Sequence, residues 1–267
     1  MMITPTVELL LKANAYLIEA EPKFRSYAQN FKKDFKSQRQ LLRDLMNMYQ
    51  PLTELPSDFY TIADSILSYE NAHKTRVSLA NLKASNLNSH IYHYQGDITA
   101  LDVDAIVNAA NRSLLGCFIP GHLCIDNCIH SASGLQLRFA CKAIGSIHTT
   151  EARITKAYNL GCKYIIHAVG PMVFYELTPE DENKLKTTYN NILDLCVKYQ
   201  IHSVAICCIA TGAFRFPHHR ACDIAIETVA GYLKAHPVDL KVIFNTFKDR
   251  DAELYSKALL SKTLKFF

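Results

Sequence analysis

Short apolar runs separated by helix-length stretches constrain the fold of this chain from residue 91 onward. The runs that start at Ala105, Tyr164, Ser203 and Lys241 are nearly all apolar. Strands have this composition when both faces of a sheet are covered, and strands that alternate with helices form mainly parallel sheets. We therefore predict an α/β fold with a sheet between helix layers. The predicted strands are Ile91–Tyr94, Ala105–Asn108, Tyr164–Ala168, Ser203–Ile209 and Lys241–Phe247, and the predicted helices are Asn127–Ala143, Thr150–Asn159, Asp181–Tyr199 and Pro217–Ala235.

The first 85 residues have a different character. They contain no glycine, and leucines at helical spacing predict a helix over Gln38 to Gln50, which Pro51 ends. After the next turn signal, Ser57 is the predicted N-cap of a second helix. We predict an N-terminal helical extension over residues 1–85, followed by a domain over residues 86–267.

Composition excludes several classes of protein. The 267 residues are 49% hydrophobic, and the formal net charge is only +4. No basic stripe with interleaved aromatic residues is present, which disfavours nucleic-acid binding. No apolar stretch reaches the ~20 residues that span a bilayer, and we expect no secretory signal, because the N-terminal residues lack a basic flank followed by an apolar core and a small-residue cleavage site. Because nine irregularly spaced cysteines disfavour a disulfide scaffold, we expect a cytoplasmic, reduced protein. We also expect a monomer, since no long exposed apolar face argues for a dimer, and no association with membranes.

A Cys-x4-His-x-Cys cluster, formed by Cys117, His122 and Cys124, follows a predicted strand, and a proline–glycine pair inside it indicates a loop. Two thiolates and an imidazole suit Zn²⁺, and three protein ligands leave a tetrahedral ion one open position. The alternative is two small buried hydrophobic residues and an unrelated histidine. Cys128 and His130 lie close by in sequence and are reserve ligands, either of which would close a purely structural site.

Two loops follow apolar strands and precede helices, where α/β folds bind ligands. The first region carries Asn108 and Asn111, whose amides can donate to and accept from ribose hydroxyls. The alternative is that both amides only satisfy loop backbone. The second loop contains Gly212, which would let backbone amides approach a diphosphate, and Phe214 and Phe216, which could pack on a sugar or base. Equally, this glycine could only shape a turn.

Asp126 stands where the cysteine-containing loop passes into a predicted helix. A carboxylate at this position serves as an N-cap or as a partner of the helix dipole. The functional alternative is that it orients or deprotonates a water molecule. His167, late in an apolar strand, is interpreted as a satisfied core or loop residue rather than a catalyst.

Several motifs occur in the order found in macrodomains, the modules that bind ADP-ribose. They are Gly96-Asp97-Ile98-Thr99, the run from Val103 to Asn111, the run from His167 to Pro171, and the run from Thr211 to Phe214. Roughly residues 91–260 resemble this family, which implies a three-layer α-β-α fold with a mixed, mostly parallel sheet. The Cys-x4-His-x-Cys loop and the helical extension resemble the zinc-dependent branch. Its members remove ADP-ribose from modified proteins and often accompany a sirtuin-type ADP-ribosyltransferase in microbes.

The resemblance also implies roles for individual residues. Asp97 resembles the carboxylate that accepts from the adenine amino group, with Ile98 beside it, and Phe247 resembles a residue lining the adenine pocket. The implied contact to the distal ribose is Asn111, and the implied diphosphate loop comprises Thr211, Gly212, Ala213 and Phe214. The implied catalytic residues are Asp126 and Asn111, and the implied ligands of one zinc ion per chain are Cys117, His122 and Cys124.

The chain departs from the family pattern at two places. Many macrodomains have a glycine-rich stretch where this chain has Gly116-Cys117-Phe118-Ile119-Pro120, and a serine is common where Ala210 stands. The mechanism of the glycine-loop enzymes therefore does not transfer as a whole. Without that serine, backbone amides would do most of the phosphate binding.

The function implied by the resemblance is zinc-dependent hydrolysis of the glycosidic or ester bond that joins mono-ADP-ribose to a protein side chain. The alternative is a non-catalytic reader of ADP-ribosylated protein with a structural zinc. The sequence leaves open the protein substrate, the linked side chain and the role of the extension. It also leaves open whether zinc activates water or only positions the ribose.

Overall fold

The computed structural model describes residues 4–260 of the chain. Within them the chain forms two compact units. The helical unit comprises residues 4–74, 115–145 and 157–160, and the sheet unit comprises residues 75–114, 146–156 and 161–260. The predicted domain boundary between residues 85 and 86 stays a prediction.

The helical unit contains six helices, three of which carry apolar faces into one hydrophobic core. That core is built mainly by α1, α3 and α4. Local capping explains two of the starts: Thr6 accepts from the backbone N–H of Leu9, and Asp34 accepts from that of Ser37. The helices are α1 (Val7–Ala20), α2 (Phe24–Ala28), α3 (Phe35–Met48), α4 (Ser57–Ala72), α5 (Ile125–Ser133) and α6 (Leu135–Ile144).

Helix α3 confirms the helix predicted from the leucine spacing, and it begins three residues earlier than predicted because Asp34 caps it. The prediction that Ser57 is an N-cap is wrong. Pro56 occupies the cap position with extended backbone, and Ser57 is the first helical residue. Asp58 in the first turn places negative charge at the helix N-terminus, which compensates in part for the missing side-chain cap.

The single helix predicted over residues 127–143 is divided into α5 and α6. Gly134 lies between them with a φ of 99° and a ψ of 174°, and it serves as the C-cap of one helix and the N-cap of the next. A residue with a Cβ is strained at that φ, so the turn between the two helices requires glycine.

The sheet unit contains a six-stranded sheet in the order β2-β8-β7-β4-β6-β5, and a separate parallel pair formed by β1 and β3. All pairings in the large sheet are parallel except β5 with β6. This confirms the mixed, mostly parallel sheet. The strands are β1 (Val77–Ser78), β2 (Ile91–Gln95), β3 (Leu101–Asp102), β4 (Ala105–Ala109), β5 (Ala152–Lys156), β6 (Tyr164–Ala168), β7 (Ser203–Cys207) and β8 (Lys241–Thr246); the helices are α7 (Pro179–Lys198), α8 (His218–Ala235) and α9 (Asp249–Leu260).

The antiparallel strand corrects one prediction. Residues 150–159 are not a helix, because Ala152–Lys156 forms β5 at the sheet edge and pairs with β6. Ala152 and Thr155 are buried while Arg153 and Lys156 are exposed, and exposed charges are common on edge strands. A short segment of mixed polar and apolar residues is compatible with either a strand or a helix. Here the pairing with β6 determines that it is a strand.

The five parallel strands place their carboxyl ends at one edge of the large sheet. Most residues of β4, β6, β7 and β8 are buried, as their apolar composition predicts. Among the described residues, no helix is both long and apolar enough to cross a bilayer.

Candidate functional site

Most of the predicted ADP-ribose residues lie just beyond the carboxyl ends of the parallel strands in the sheet unit. Asp97 follows β2 by two residues, Phe247 follows β8 directly, and Asn111 follows β4 by two residues. The Gly212 loop, defined here as residues 210–216, follows β7. The strand order therefore brings these segments to one edge of one sheet, where α/β folds bind ligands.

At the β2 end, Asp97 caps a short turn of 3₁₀ helix. Its Oδ1 accepts from the backbone N–H of Thr99 at 2.9 Å and from the Thr99 hydroxyl at 2.7 Å. The Asp97 residue is exposed, whereas the Ile98 side chain is only 2% exposed. A role for Ile98 in binding therefore falls to its backbone.

The two asparagines have different surroundings. Asn108 lies inside β4, fully buried, and its Nδ2 is 3.2 Å from Nδ1 of His167. Asn111 lies beyond the strand, and its Oδ1 accepts from the backbone N–H and the hydroxyl of Ser113. Asn108 is therefore a core residue, and Asn111 is the amide at the sheet edge.

His167 confirms its interpretation as a core histidine. Its Nε2 lies 3.0 Å from the hydroxyl of Thr155, and Nδ1 faces Asn108. Burial lowers the pKa of His167 from 6.5 to about 4. The ring is therefore neutral near pH 7, with one nitrogen donating and the other accepting.

The Gly212 loop holds its shape through backbone turns. The N–H of Phe216 donates to the carbonyl of Ala210, and the N–H of Arg215 donates to that of Gly212, each at 3.0 Å. Ala210 and Arg215 adopt left-handed φ values of 67° and 59°. Strained non-glycine residues are more frequent at functional sites, so two in one loop support a binding role.

Open space lies beside Gly212. A Cβ built there meets no atom within 4 Å, and the glycine does not have a left-handed φ. The glycine is therefore not required to shape the turn, and its bare Cα faces free space that a ligand can occupy.

The aromatic residues of this edge divide into two kinds. Phe216 is only 1% exposed, so the prediction that it packs on a sugar or base is wrong; its ring belongs to the core. Phe214 is half-buried and its carbonyl accepts from the N–H of Val173 at 2.8 Å. Phe247 is 73% exposed immediately after β8, so its ring is accessible to a flat ligand.

The Cys-His-Cys loop, residues 117–124, lies in the helical unit and brings its three predicted ligands together. One donor atom each from Cys117, His122 and Cys124 lies within 4.8 Å of the other two. Sγ of Cys117 is 3.4 Å from Nδ1 of His122. In a tetrahedral zinc site, sulfur at ~2.3 Å and nitrogen at ~2.0 Å from the ion are about 3.5 Å apart. The donor types and their spacing therefore fit zinc.

The reserve ligands do not join this group. Neither Cys128 nor His130 belongs to the set of donor atoms around Cys117, His122 and Cys124. The Cys128 sulfur instead lies 3.9 Å from Nη2 of Arg43 on α3. The group as described thus supplies three protein donors, the number found in zinc sites that keep an open position.

Cys124 is the N-cap of α5. Its sulfur accepts from the backbone N–H of Asn127 at 3.4 Å. Burial raises the pKa of the Cys124 thiol to about 12, and this N–H opposes the rise by favouring the thiolate. Since a metal ion binds the thiolate, zinc uptake would release this proton.

Asp126 is the second residue of α5 and is only 6% exposed. Because Cys124 holds the cap position, the N-cap interpretation of Asp126 is wrong, whereas the helix-dipole interpretation fits its place in the first turn. Its Oδ1 lies 3.5 Å from Nε2 of His130. The guanidinium of Arg138, itself buried, interacts favourably with the Asp126 carboxylate. Asp126 is therefore a buried carboxylate held beside cationic and imidazole groups.

Comparisons with known proteins agree with this architecture. The Macro domain profile matches residues 107–225. A protein named protein-ADP-ribose hydrolase from Treponema medium is 39% identical over 251 residues, which cover 91% of this chain and 95% of the relative. A probable bifunctional ADP-ribose hydrolase/ADP-ribosyltransferase from Fusarium oxysporum f. sp. cubense is 38% identical, over 82% of this chain and 40% of the relative.

A solved structure, the Trypanosoma brucei macrodomain in complex with ADP-ribose, has the same fold. It superimposes with a TM-score of 0.63 at 28% identity, covering 80% of this chain and 94% of that one. The predicted macrodomain fold is thereby confirmed. With a 39% identical relative matched over 95% of its length as well, the chain belongs to the macrodomain family.

Proposed function

We propose that this protein is a zinc-dependent hydrolase that removes mono-ADP-ribose from modified protein side chains. Near-full-length similarity to a protein-ADP-ribose hydrolase supports the activity. The observation that carries the zinc dependence is the three-donor group of Cys117, His122 and Cys124. A macrodomain that only binds ADP-ribose has no need of two thiols and an imidazole whose donor atoms lie within 4.8 Å of one another.

In this proposal the carboxyl edge of the sheet binds ADP-ribose. Asp97 accepts from the adenine amino group, and the exposed ring of Phe247 packs against the base. Backbone amides of the Gly212 loop hold the diphosphate in the open space beside the glycine. Asn111 contacts the distal ribose through its amide.

The Cys-His-Cys loop and Asp126 supply the chemistry. A zinc ion held by Cys117, His122 and Cys124 would provide Lewis acidity and a bound water with a pKa near ~7. Asp126 would accept the proton of the attacking water through a carboxylate oxygen. Water is added across the bond between ribose and side chain, and the products are free ADP-ribose and the unmodified side chain.

We further propose that the protein acts together with a sirtuin-type ADP-ribosyltransferase. The name of the Fusarium relative joins a hydrolase and a transferase in one chain, which supports a coupling of the two activities. The transferase would create the linkage that this protein removes. The monomeric state and cytoplasmic location stay predictions from the sequence.

The test compares Cys124→Ala with the matched control Cys196→Ala, since Cys196 is a buried cysteine of α7 in the sheet unit. Each variant is assayed for bound zinc, for ADP-ribose binding by calorimetry, and for release of ADP-ribose from a mono-ADP-ribosylated protein. We expect Cys124→Ala to lose zinc and turnover but keep detectable ADP-ribose binding, and Cys196→Ala to keep all three. If both variants turn over at the wild-type rate, the zinc-dependent mechanism is wrong. If the wild type binds zinc and ADP-ribose without turnover, the protein is a reader.

A further inference from the structure

Asn127, the third residue of α5, uses all of its side-chain hydrogen-bonding groups next to the Cys-His-Cys loop. It is fully buried. Its Nδ2 donates to the carbonyls of Ile119 at 3.0 Å and Cys117 at 3.4 Å. Its Oδ1 accepts from Nη2 of Arg43 at 3.1 Å and from the hydroxyl of Ser131 at 3.2 Å. An amide offers two donors and two lone pairs, so all four are used and two hold loop backbone.

Arg43 reaches the same loop from α3. Its Nη2 donates to the carbonyl of His122 at 3.3 Å as well as to Asn127, and it lies 3.9 Å from the Cys128 sulfur. Arginine is suited to this position because its planar guanidinium presents several donors in a fixed geometry. The guanidinium thus joins α3 to the loop and to the first turn of α5.

Two further contacts join α3 to this part of the unit. One helical turn beyond Arg43, the amide of Asn47 donates to the hydroxyl of Ser131 at 2.9 Å. Arg138, 1% exposed on α6, donates to three carbonyls at the C-terminus of α3, and its guanidinium lies 4.6 Å from the ring of Phe118 in the loop. Helix α3 therefore contacts the loop through Arg43, and through Arg138 of α6, which bonds to α3 and makes a cation–π contact with the loop.

These contacts reach each of the three donor residues. The carbonyl of Cys117 accepts from the Asn127 side chain, the carbonyl of His122 accepts from Arg43, and the sulfur of Cys124 accepts from the Asn127 backbone. We propose that Arg43 and Asn127 are positioning residues that fix the Cys-His-Cys loop and so set how tightly its three donors hold zinc. This inference rests on the proposed zinc site, and it gives the N-terminal helices a role as the support of that site.

The physical reason is the cost of assembling the donors. A loop that is already ordered before the ion binds loses little conformational entropy on binding, so zinc binds more tightly. Removing a partner that orients metal ligands typically weakens metal affinity about 10–100-fold. Arg43→Met removes the guanidinium but keeps an unbranched apolar stem, so it deletes the contacts with little loss of packing.

The matched control is Arg39→Met on the same helix. Arg39 lies one turn before Arg43 and pairs with Glu70 through two bonds of 2.6 and 2.7 Å. That substitution also removes an arginine of α3 and its hydrogen bonds, here to Glu70, but it deletes no contact with the Cys-His-Cys loop. A loss of helix stability alone would affect both variants, whereas a positioning role affects only Arg43→Met.

The experiment measures the rate at which zinc passes from the loaded full-length protein to a colorimetric chelator. We expect zinc release from Arg43→Met to be at least about tenfold faster than from the wild type, and release from Arg39→Met to match the wild type. Hydrogen exchange of the loop amides in zinc-free protein gives a second readout. We expect faster exchange over residues 117–124 in Arg43→Met only. Equal zinc release and equal exchange in the two variants would overturn the inference.

Asn127→Asp is a second test of these contacts. Aspartate keeps an oxygen that can accept from Arg43 and Ser131, but it loses the amide group that donates to the two loop carbonyls. We expect faster zinc release here also; if this variant does not fold, Arg43→Met decides. Wild-type protein that binds zinc but releases no ADP-ribose would contradict the proposed function and leave the zinc-release comparison intact. Wild-type protein that takes up no zinc would end both.

Discussion

The Cys-His-Cys loop of the helical unit is held by side chains of α3 and α5, whereas the Gly212 loop of the sheet unit is shaped mainly by backbone hydrogen bonds. Asn127 and Arg43 donate to carbonyls of the first loop. The second closes through backbone bonds within residues 210–216 and contains two left-handed residues. The difference follows from what each loop presents. Metal donors are side chains that must meet at fixed distances, whereas an anion site presents backbone amides, which the turn itself orients.

The largest expected effect concerns the buried carboxylate beside the Cys-His-Cys loop. Asp126→Asn keeps the size of the side chain but removes its ability to accept a proton. General-base catalysis contributes about 10²–10⁴-fold in rate, so we expect kcat to fall by about a thousandfold while zinc content stays at the wild-type level. The measurement is single-turnover release of ADP-ribose together with metal analysis. Unchanged kcat would remove Asp126 from the mechanism and restrict it to the helix-dipole role.

Acid is expected to weaken the sheet unit through His167. Its pKa of about 4 in the folded protein lies below the ordinary value of 6.5. As pH falls, the unfolded chain therefore takes up the proton first. Through His167, the unfolding free energy does not change with pH above pH 6.5, falls as the pH drops from 6.5 to about 4, and levels off below that. At 1.36 kcal/mol per pKa unit the loss is roughly 3 kcal/mol.

Urea unfolding at a series of pH values measures this loss. His167→Gln keeps a polar side chain for Asn108 and Thr155 but does not titrate, so we expect its unfolding free energy to depend less on pH across the same interval. Equal pH dependence in both proteins would assign the effect to other groups.

Gly212→Val tests whether the Gly212 loop binds its ligand through backbone and open space. The valine side chain would enter space that contains no protein atom and would meet no left-handed φ. We expect a wild-type thermal midpoint but ADP-ribose affinity weakened about 30-fold, or about 2 kcal/mol. Gly231→Val is the control, since a Cβ at Gly231 on α8 also meets nothing within 4 Å. Equal ADP-ribose affinity in both variants would contradict the assignment of this loop.

The smallest expected effect concerns backbone strain in the Gly212 loop. Ala210 has a φ of 67°, and a Cβ costs about 1 kcal/mol in this region. Ala210→Gly relieves that strain but raises the entropy of the unfolded chain by a comparable amount. We therefore expect the unfolding free energy to change by less than about 1 kcal/mol. A larger loss would show that the Ala210 methyl group supports the loop by packing.

The sequence allows the architecture to be predicted and points to candidate site residues, but it does not reveal which side chains support them. Apolar runs predict buried parallel strands because both faces of those strands must be covered. Strand β5 could not be predicted because its mixed polar and apolar residues show no clear strand pattern, and only its pairing with β6 makes it a strand. The division of α5 from α6 depends on a glycine conformation that a helical pattern does not reveal.

Arg43 and Asn127 are not predictable for a different reason. Each is an ordinary polar residue in a helical pattern, and their separation of 84 in residue number hides the contact. The three donors of the Cys-His-Cys loop, by contrast, stand within eight residues of one another and carry soft ligand atoms. A local cluster of donors can therefore be recognised in the sequence, whereas side-chain support from a distant helix requires the fold.

Zinc add-back to metal-depleted protein is the decisive test of zinc-dependent hydrolysis. The protein is stripped by a chelator, dialysed, and titrated with Zn²⁺ while release of ADP-ribose from a mono-ADP-ribosylated protein is followed. We predict no turnover in the stripped protein and activity that rises with bound zinc up to one ion per chain. Full turnover by metal-free protein, or added zinc that binds without restoring activity, would contradict it.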